Sequence, residues 1–255
     1  MSTPEQNKAA IHTLLKGIET GDPKAAAVVN EAKYIQHNPQ TAEGSEGLAA
    51  LFARLAKSNP RVNLVRVFAD GGFVFGHTEY DFSTRRIGFE IFRFEEGRAV
   101  EHWDNIQPRL GPNASGRSMV DGPSVAVDLE KTQENRALVR DFVQAVFIER
   151  QLSRIGEFVV DDLIQHQPDL VDGRGALKAW LEQESDAGPR FLYAKNHHTL
   201  AEGNFVLSAN EGSLDGTHSA LYDLFRIEAG RIVEHWGTRE HIAPRSEWKN
   251  QNGKF

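Results

Sequence analysis

The tetrapeptide Val-Glu-His-Trp occurs twice in this chain of 255 residues, beginning at Val100 and again at Val233. It lies within a longer match, because FRFEEGRAVEHW agrees with FRIEAGRIVEHW at 9 of 12 positions. Two upstream motifs repeat in the same order, IQHNP as IQHQP and GGFVF as GNFVL, at offsets between 129 and 133 residues. A nearly constant offset predicts a tandem duplication of a unit of roughly 100 residues.

The stretch between the copies predicts a linker. PRLGPNASGRSMVDGPSVAVDL, which contains residues 111–127, is rich in proline, glycine and serine and has no sustained periodicity. We therefore expect domain 1 at residues 1–110, the linker at 111–127 and domain 2 at 128–255. Domain 2 then ends in the polar tail PRSEWKNQNGKF, which either folds back over a pocket mouth or the domain interface, or frays.

Each copy begins with helical patterns and continues with strand patterns. In EQNKAAIHTLLKGIETGD the apolar residues follow a helical spacing, and Gly21 is expected to end that helix. Two further helical segments follow in each half. RVNLVRVFA, FVFGHTEYDF, IGFEIFRFE and AVEHWDNIQ are β-branched and aromatic, and turn residues separate them. Three helices followed by a meandering antiparallel sheet predict an α+β fold in each half.

Charge and composition exclude several classes of partner. The formal charge is −7, whereas a nucleic-acid or anionic-membrane partner calls for a basic face. The absence of cysteine excludes disulfides, thiolate metal sites and cysteine nucleophiles. No apolar run approaches the roughly 20 residues that span a bilayer, and the polar N-terminus lacks a signal-peptide core. We expect a cytoplasmic protein with no nucleic-acid or membrane partner.

The last hairpin of the first half places polar side chains together. A three-residue loop at 95–97, closed by a glycine in a bulge, would put Glu90 opposite His102. Asp104 lies two residues further and shares that face, because side chains alternate along a strand. Trp103 points the other way, as an apolar anchor. The face either meets solvent as ordinary surface charge or lines a cavity, where its groups would perturb each other's pKa and suit proton transfer.

The second half keeps only part of this set. The same register puts Asp223 opposite His235 and leaves Gly237 where the first half has Asp104. Arg239 stands where the first half has Ile106, and it would favour an anionic group and keep Asp223 ionised on contact. The first half is therefore predicted to be the reactive one. The second is a scaffold or a distinct binding site, or it runs its own chemistry on Asp223 and His235.

The motifs YIQHNP, ADGGFVFGH and EIFRFEEGRAVEHWDNIQP together resemble those of the SnoaL-like polyketide cyclases. These belong to the superfamily that includes nuclear transport factor 2 and ketosteroid isomerase. The resemblance covers both halves and implies two tandem cone-shaped domains, each a curved sheet wrapped around three helices with a deep apolar pocket inside. It also implies an internal pseudo-dimer, and a homo-oligomer of the whole chain stays open.

The resemblance implies roles for individual residues. Asp104 matches the base of an intramolecular aldol condensation that needs no metal or cofactor, and Glu90 matches a second catalytic residue. The base position of ketosteroid isomerases holds Asn38 and Gln167 here, which disfavours a steroid isomerase mechanism. The implied pocket residues of the first half, with one apolar neighbour, are Phe73, Phe75, His77, Glu79, Phe89, His102, Asp104 and Ile106.

Removal of a proton next to a carbonyl requires a carboxylate base, and an apolar pocket would raise its pKa. It also requires a donor for the enolate oxygen, which His102 or a protonated Glu90 would supply. His37 either enters the same pocket or only holds its loop. His37, His102 and Asp104 have the composition of a two-histidine, one-carboxylate metal site, but nothing in the sequence fixes their distances, and the resemblance implies no metal and no cofactor.

The expected function is therefore that of a small-molecule enzyme, a cyclase, aldol-type lyase or isomerase acting on an apolar, carbonyl-bearing compound. Two alternatives stay open. One is a dehydratase or hydrolase that uses the same histidine and aspartate. The other is a non-catalytic protein that binds a small molecule.

Overall fold

The computed structural model describes residues 2–255, apart from the side chains of Pro23 and Ser45. The chain forms two compact units. Unit 1 combines the residues up to Arg109 with Ala243–Phe255, and unit 2 is Leu110–Ile242. This division differs from the expected one at two segments. Residues 111–127 belong to unit 2 instead of forming a free linker, and the C-terminal tail belongs to unit 1.

Unit 1 contains two α-helices, two short 3₁₀ helices at Pro23–Val28 and Arg245–Glu247, and one sheet. The sheet has the order β1-β5-β4-β3-β2, in which β1 runs parallel to β5 and the other pairs are antiparallel. The elements are α1 (Pro4–Thr20), β1 (Ile35–Gln36), α2 (Gly44–Ala56), β2 (Arg61–Asp70), β3 (Phe73–Asp81), β4 (Arg85–Glu95) and β5 (Arg98–Pro108).

The ends of α1 follow from local sequence. The Thr3 hydroxyl accepts a hydrogen bond from the Gln6 backbone N–H, and the Thr3 backbone N–H donates to the Gln6 side-chain oxygen, which forms a capping box. Gly21 ends the helix with a φ of 66°, as predicted, because glycine adopts this left-handed conformation without strain. The apolar stripe packs on one face of the sheet, in a core that includes Ile11, Leu14, Leu15, Ile18, Val62, Val74, Tyr80 and Phe92.

Unit 2 repeats the architecture. Its sheet has the order β6-β12-β11-β10-β9, with β6 parallel to β12. The last turns of α3 widen into a π-helix at Val143–Ile148. The elements are α3 (Thr132–Phe142), α4 (Ile155–Phe158), β6 (Val159–Gln165), α5 (Arg174–Leu181), β7 (Glu184–Ser185), β8 (Gly188–Pro189), β9 (Phe191–Glu202), β10 (Phe205–Leu214), β11 (Thr217–Glu228) and β12 (Arg231–His241). The predicted α+β class and the duplication are confirmed.

The hairpin register differs from the prediction. The loop has two residues, Glu96 and Gly97, with φ values of 50° and 81°, because such a turn matches the twist of the flanking strands. A bulge after the first pairs shifts the remaining register, so Glu90 lies opposite Asp104 and not opposite His102. The shorter loop and the bulge together shift the predicted pairing by two residues. Glu90, His102 and Asp104 therefore stay on one face of the sheet.

The same correction applies in unit 2. Asp223 lies opposite Gly237, while His235 pairs with Phe225. Among the described residues, none of the helices is long and apolar enough to cross a membrane.

Candidate functional site

The centre of unit 1 is a buried polar cluster on the helix-covered face of the sheet. Glu90, His102 and Asp104 are 3%, 8% and 3% exposed. Glu90 on β4 faces Asp104 on β5, and the Glu90 Oε2 atom lies 2.8 Å from the Nε2 atom of His102. The face therefore does not carry ordinary surface charges. Burial of this kind is expensive unless each group is hydrogen-bonded or paired, so its partners define its chemistry.

Glu90 and His102 share a proton between them. The Tyr80 hydroxyl donates to Glu90 Oε1 at 2.6 Å. On the other side of the imidazole, Nδ1 lies 2.9 Å from Gln36 Oε1, which also accepts from the Asn38 backbone N–H. Since the amide oxygen is an acceptor, Nδ1 carries a hydrogen. The short contact between Nε2 and the Glu90 carboxylate then requires a second hydrogen between these two atoms.

Asp104 is paired with a lysine from the opposite end of the chain. Lys254 Nζ lies 3.2 Å from Oδ1, and Asn38 donates its amide to Oδ2 at 2.6 Å. Burial by itself raises the pKa of this carboxyl, but the charges of Lys254 and His102 and the bond from Asn38 outweigh it and lower the pKa below its usual range. The expectation of a raised pKa is therefore wrong, because an apolar pocket was assumed and a cation is present.

Two buried tyrosines complete the surroundings. Burial, together with the charges of Asp104 and Glu90, raises the pKa of the Tyr34 hydroxyl, and burial and Glu90 do the same for Tyr80. Both side chains therefore remain neutral phenols that can donate a hydrogen bond. The cluster is packed against apolar residues, and the ring of Phe92 stacks on His102 at 4.3 Å.

His37 does not enter this cluster. Its ring stacks on Trp103 at 4.8 Å, and its Nε2 atom lies 3.0 Å from Glu101. Glu101 and Trp103 alternate with His102 along β5 and point to the other face. These contacts fit the alternative in which His37 holds its loop. His166 repeats the arrangement with Glu234 and Trp236. In the repeated Glu-His-Trp motif, the histidine therefore faces the cluster, whereas the glutamate and the tryptophan lie on the opposite face of the sheet.

Five predicted pocket residues are also on the other face. They alternate with the residues that face the cluster, as Phe89 does with Glu90, and Phe89 pairs with His77. The resemblance implied that these residues face the same pocket as Asp104, whereas the strand register puts them on the opposite face. The residues concerned are Phe73, Phe75, His77 and Phe89, together with Glu79. Ile106, in contrast, shares the face of Asp104 and packs against the helix-side core.

The distances in the cluster are short enough for a metal ion, but its donors are engaged. Ligand atoms of Glu90, His102 and Asp104 lie within 4.8 Å of one another. Both Asp104 oxygens are bonded to Asn38 and Lys254, so an ammonium group already neutralises this carboxylate. We assign no metal to the site. A cavity of about 230 Å³ opens between α2, residues 40–42 and Lys249, and its lining does not include the three cluster residues.

Unit 2 keeps the histidine–carboxylate pair. His235 Nε2 lies 3.0 Å from Asp223 Oδ1, and His235 Nδ1 lies 2.9 Å from Gln165 Oε1. Tyr193 and Asn210 donate to Asp223 at 3.3 Å each. The hydrogen-bonded chain from glutamine through histidine to carboxylate is therefore the same in both units.

The position of the missing aspartate is closed in unit 2. A Cβ atom built on Gly237 would lie 1.9 Å from the Nε2 atom of Gln167, so the longer amide fills the space that a side chain would need. Arg239 binds Asp169 at 3.1 Å and stacks over Trp180 at 4.4 Å. Although burial raises the pKa of Asp169, Arg239 lowers it below its usual range.

Sequence reasoning missed five members of the unit 1 site. Gln36 was visible, because it recurs as Gln165 in the repeated IQH motif. Tyr80 could have been found from strand alternation, since it shares the face of Glu90. Tyr34 and Asn38 lie in the quoted YIQHNP motif without a signal of their own. Nothing in the sequence pointed to Lys254, because it is 150 residues away from Asp104.

Comparison with known proteins identifies the family. The family model for the SnoaL-like domain matches residues 11–102 and 139–235. Solved structures that resemble the chain include TsrD from Streptomyces laurentii, at 19% identity over 42% of this chain and 92% of that one, with a TM-score of 0.38. A nuclear transport factor 2-like protein of unknown function from Burkholderia xenovorans matches at 20% identity, 48% and 99% coverage and a TM-score of 0.38.

An LEH-like epoxide hydrolase of M. tuberculosis matches at 17% identity, covering 40% of this chain and 84% of that one, with a TM-score of 0.36. The search of curated proteins gave no significant match. The family model accounts for most of both units, and its two matched regions reproduce the duplication. The chain therefore belongs to the SnoaL-like domain family, with two copies of the domain in tandem.

Proposed function

We propose that unit 1 is an enzyme site that removes a proton next to a carbonyl group in a small, largely apolar molecule. Such a site serves a cyclase, an aldol-type lyase or an isomerase that acts through an enolate. The observation that carries the proposal is Asp104, a carboxylate that is buried and yet held in its ionised form. A base must be ionised before the substrate arrives, and this one is kept so beside a second acid–base pair.

The chemistry follows from the order of groups on the sheet. Asp104 takes the proton on the α-carbon: the C–H bond breaks, an O–H bond forms on the carboxylate, and the electron pair moves to the carbonyl oxygen. Donors among the buried groups stabilise that oxygen. The proton shared by Glu90 and His102 then serves the second half of the reaction, because it can be delivered to the enolate or alkoxide product and later recovered.

The surroundings favour a largely apolar substrate. Phe92 and Ile106 accompany the cluster on the helix-covered face, and the aliphatic core of α1 lies against the same side of the sheet. Lys254 lies against Asp104, so its side chain must shift to admit a substrate. Unit 2 has no carboxylate at the position of Asp104, and we assign it a scaffold or binding role.

Proton abstraction can be tested without knowing the product. The protein is incubated in D₂O with a panel of aldehydes, ketones and β-dicarbonyl compounds, and loss of α-hydrogen signal is followed by NMR. Asp104→Asn should slow exchange about 10²–10⁴-fold, the usual contribution of a positioned base. Asp223→Asn, the matched change in unit 2, should slow it far less. Thermal unfolding of both variants checks that they fold.

Equal losses in the two variants would show that both units are active. Exchange that is unaffected by Asp104→Asn, or no exchange above the buffer rate with any compound of the panel, would contradict the proposed function.

A further inference from the structure

The C-terminal tail is firmly anchored in unit 1. Asn250 donates its amide to the carbonyl oxygens of Asn38 and Thr41, at 2.8 and 3.0 Å. The imidazole of His37 holds the carbonyl oxygen of Gly253 at 3.0 Å. Backbone oxygens that are satisfied in this way are buried with their partners, and Asn250 is itself 4% exposed. The tail is therefore part of the wall of the unit.

Unit 2 anchors a different segment by the same contacts. Asn113 donates its amide to the carbonyl oxygens of Gln167 and Leu170, at 3.3 and 2.8 Å. The carbonyl oxygen of Ser118 lies 2.7 Å from Nδ1 of His166. The tail of unit 1 and this segment of unit 2 are therefore held by the same two kinds of contact, an asparagine amide on backbone oxygens and a histidine on a carbonyl oxygen.

The residue that follows the carbonyl group held by the histidine differs between the two units. It is Lys254 after Gly253 in unit 1 and Met119 after Ser118 in unit 2, and both side chains are 3% exposed. The unit with the lysine has Asp104, and the unit with the methionine has Gly237. Acid and ammonium are therefore present together or absent together. This pattern is expected of two groups that act as one pair, since a single buried charge is costly.

We propose that Lys254 is a catalytic residue of unit 1, the ammonium group that binds the carbonyl oxygen of the substrate and stabilises its developing negative charge. This inference rests on the proposed function of the same site. Lys254 Nζ and Asp104 Oδ1 lie side by side, 3.2 Å apart. A carbonyl oxygen and the hydrogen on its α-carbon are also close neighbours. One carbonyl group can therefore meet both side chains at once.

When the substrate binds, the ion pair between Lys254 and Asp104 separates to admit the carbonyl group. Lys254 donates an N–H hydrogen bond to the carbonyl oxygen while Asp104 takes the α-proton, so the negative charge that leaves Asp104 arrives at an oxygen beside the ammonium. Lys254 keeps its proton throughout, and no bond to it is broken. A fixed cation in a site without bulk water stabilises such a charge strongly, and loss of one oxyanion donor typically costs about 10²–10³-fold in rate.

The test removes the ammonium and then supplies it from solution. Lys254→Ala should slow α-hydrogen exchange about 10²–10³-fold, whereas Lys249→Ala, an exposed lysine of the same tail, should leave it near the wild-type rate. Methylammonium and ethylammonium should restore part of the exchange in Lys254→Ala. Tetramethylammonium, a cation without N–H donors, should not. If Lys254→Ala does not fold, Lys254→Gln keeps a hydrogen-bond donor beside Asp104 while removing the positive charge, and it should slow the exchange as well.

Several results would overturn the inference. Unchanged exchange in Lys254→Ala would exclude a catalytic role, and faster exchange would show that the tail is an inhibitory plug. Equal rescue by tetramethylammonium, or no rescue by any amine, would reduce Lys254 to a structural role. Exchange that requires Asp104 but not Lys254 contradicts this inference alone, whereas absence of exchange in the wild-type protein contradicts the proposed function and this inference with it.

Discussion

The two units share one framework and differ where unit 1 carries its extra carboxylate. Asp104 is bonded to Asn38 in unit 1, whereas Gly237 is covered by the amide of Gln167 in unit 2. One extra methylene group in the amide side chain accompanies the loss of the carboxylate. The comparison shows that a buried acid is not removed alone, because the space and the hydrogen bonds around it must be filled again.

The units also differ in how they supply a phenol to the retained carboxylate. Tyr80 on β3 donates to Glu90 in unit 1, and Tyr193 on β9 donates to Asp223 in unit 2. Tyr80 pairs across the sheet with a valine, and Tyr193 pairs with a glycine, so the tyrosine has changed strand within the same cross-strand position. Both units therefore keep a hydrogen bond from a tyrosine hydroxyl to the carboxylate, although the tyrosine lies on a different strand.

The largest effect on stability is expected from separating the buried ion pair. Lys254→Met leaves Asp104 without its cation and should destabilise unit 1 by about 3–5 kcal/mol, the usual cost of breaking a buried pair. Adding Asp104→Gly and Asn38→Gln, which together reproduce the combination of unit 2, should recover most of the loss. Hydrogen exchange in β4 and β5 measures the change locally. A triple variant as unstable as Lys254→Met would show that these residues are not coupled.

The reverse change in unit 2 should be less costly. Gly237→Asp forces a side chain against the Gln167 amide and should destabilise unit 2 by about 1–3 kcal/mol through overpacking. Combining it with Gln167→Asn and Met119→Lys rebuilds the unit 1 arrangement and should relieve the loss. Urea unfolding compares the variants. If Gly237→Asp is as stable as the wild type, the packing difference between the units does not matter.

Smaller and unequal losses of hydrogen-exchange protection are expected from His37 and His166, which hold the carbonyl oxygens of Gly253 and Ser118. His37→Ala should free the tail and reduce its hydrogen-exchange protection by about 1 kcal/mol, as for one lost hydrogen bond. His166→Ala should reduce the protection of residues 113–121 less, because Asn113 holds that segment through three backbone carbonyl oxygens and Asn250 holds the tail through two. Equal losses of protection would mean that the additional bond of Asn113 contributes nothing.

The smallest expected effect is a difference in acid response. The pKa of Asp104 is lower in the folded protein than the value of about 3.9 in an unfolded chain, so its ionised form stabilises unit 1 above that pH. This contribution is lost as the pH falls through the lower, folded value. The stability difference between wild type and Asp104→Asn should therefore shrink on acidification, as followed by urea unfolding between pH 7 and acid. A constant difference would contradict the lowered pKa.

The sequence alone determined the framework. The offset repeat predicted two copies, the apolar spacing predicted α1, and the strand patterns predicted β2 to β5. Strand alternation placed Glu90, His102 and Asp104 on one face even though the predicted loop was one residue too long. These features depend on neighbours along the chain, through helical and strand periods, and such local rules can be applied without knowing the fold.

Tertiary structure decided what that face does. The packing of the helices on one face of the sheet puts Phe89 and four other predicted pocket residues on the opposite face. Tertiary structure also assigned the tail to unit 1 and brought Lys254 to Asp104, which reversed the expected direction of the pKa shift. Coulombic interactions and burial depend on distance in space, so residues 150 positions apart in sequence set each other's charge only once the chain has folded.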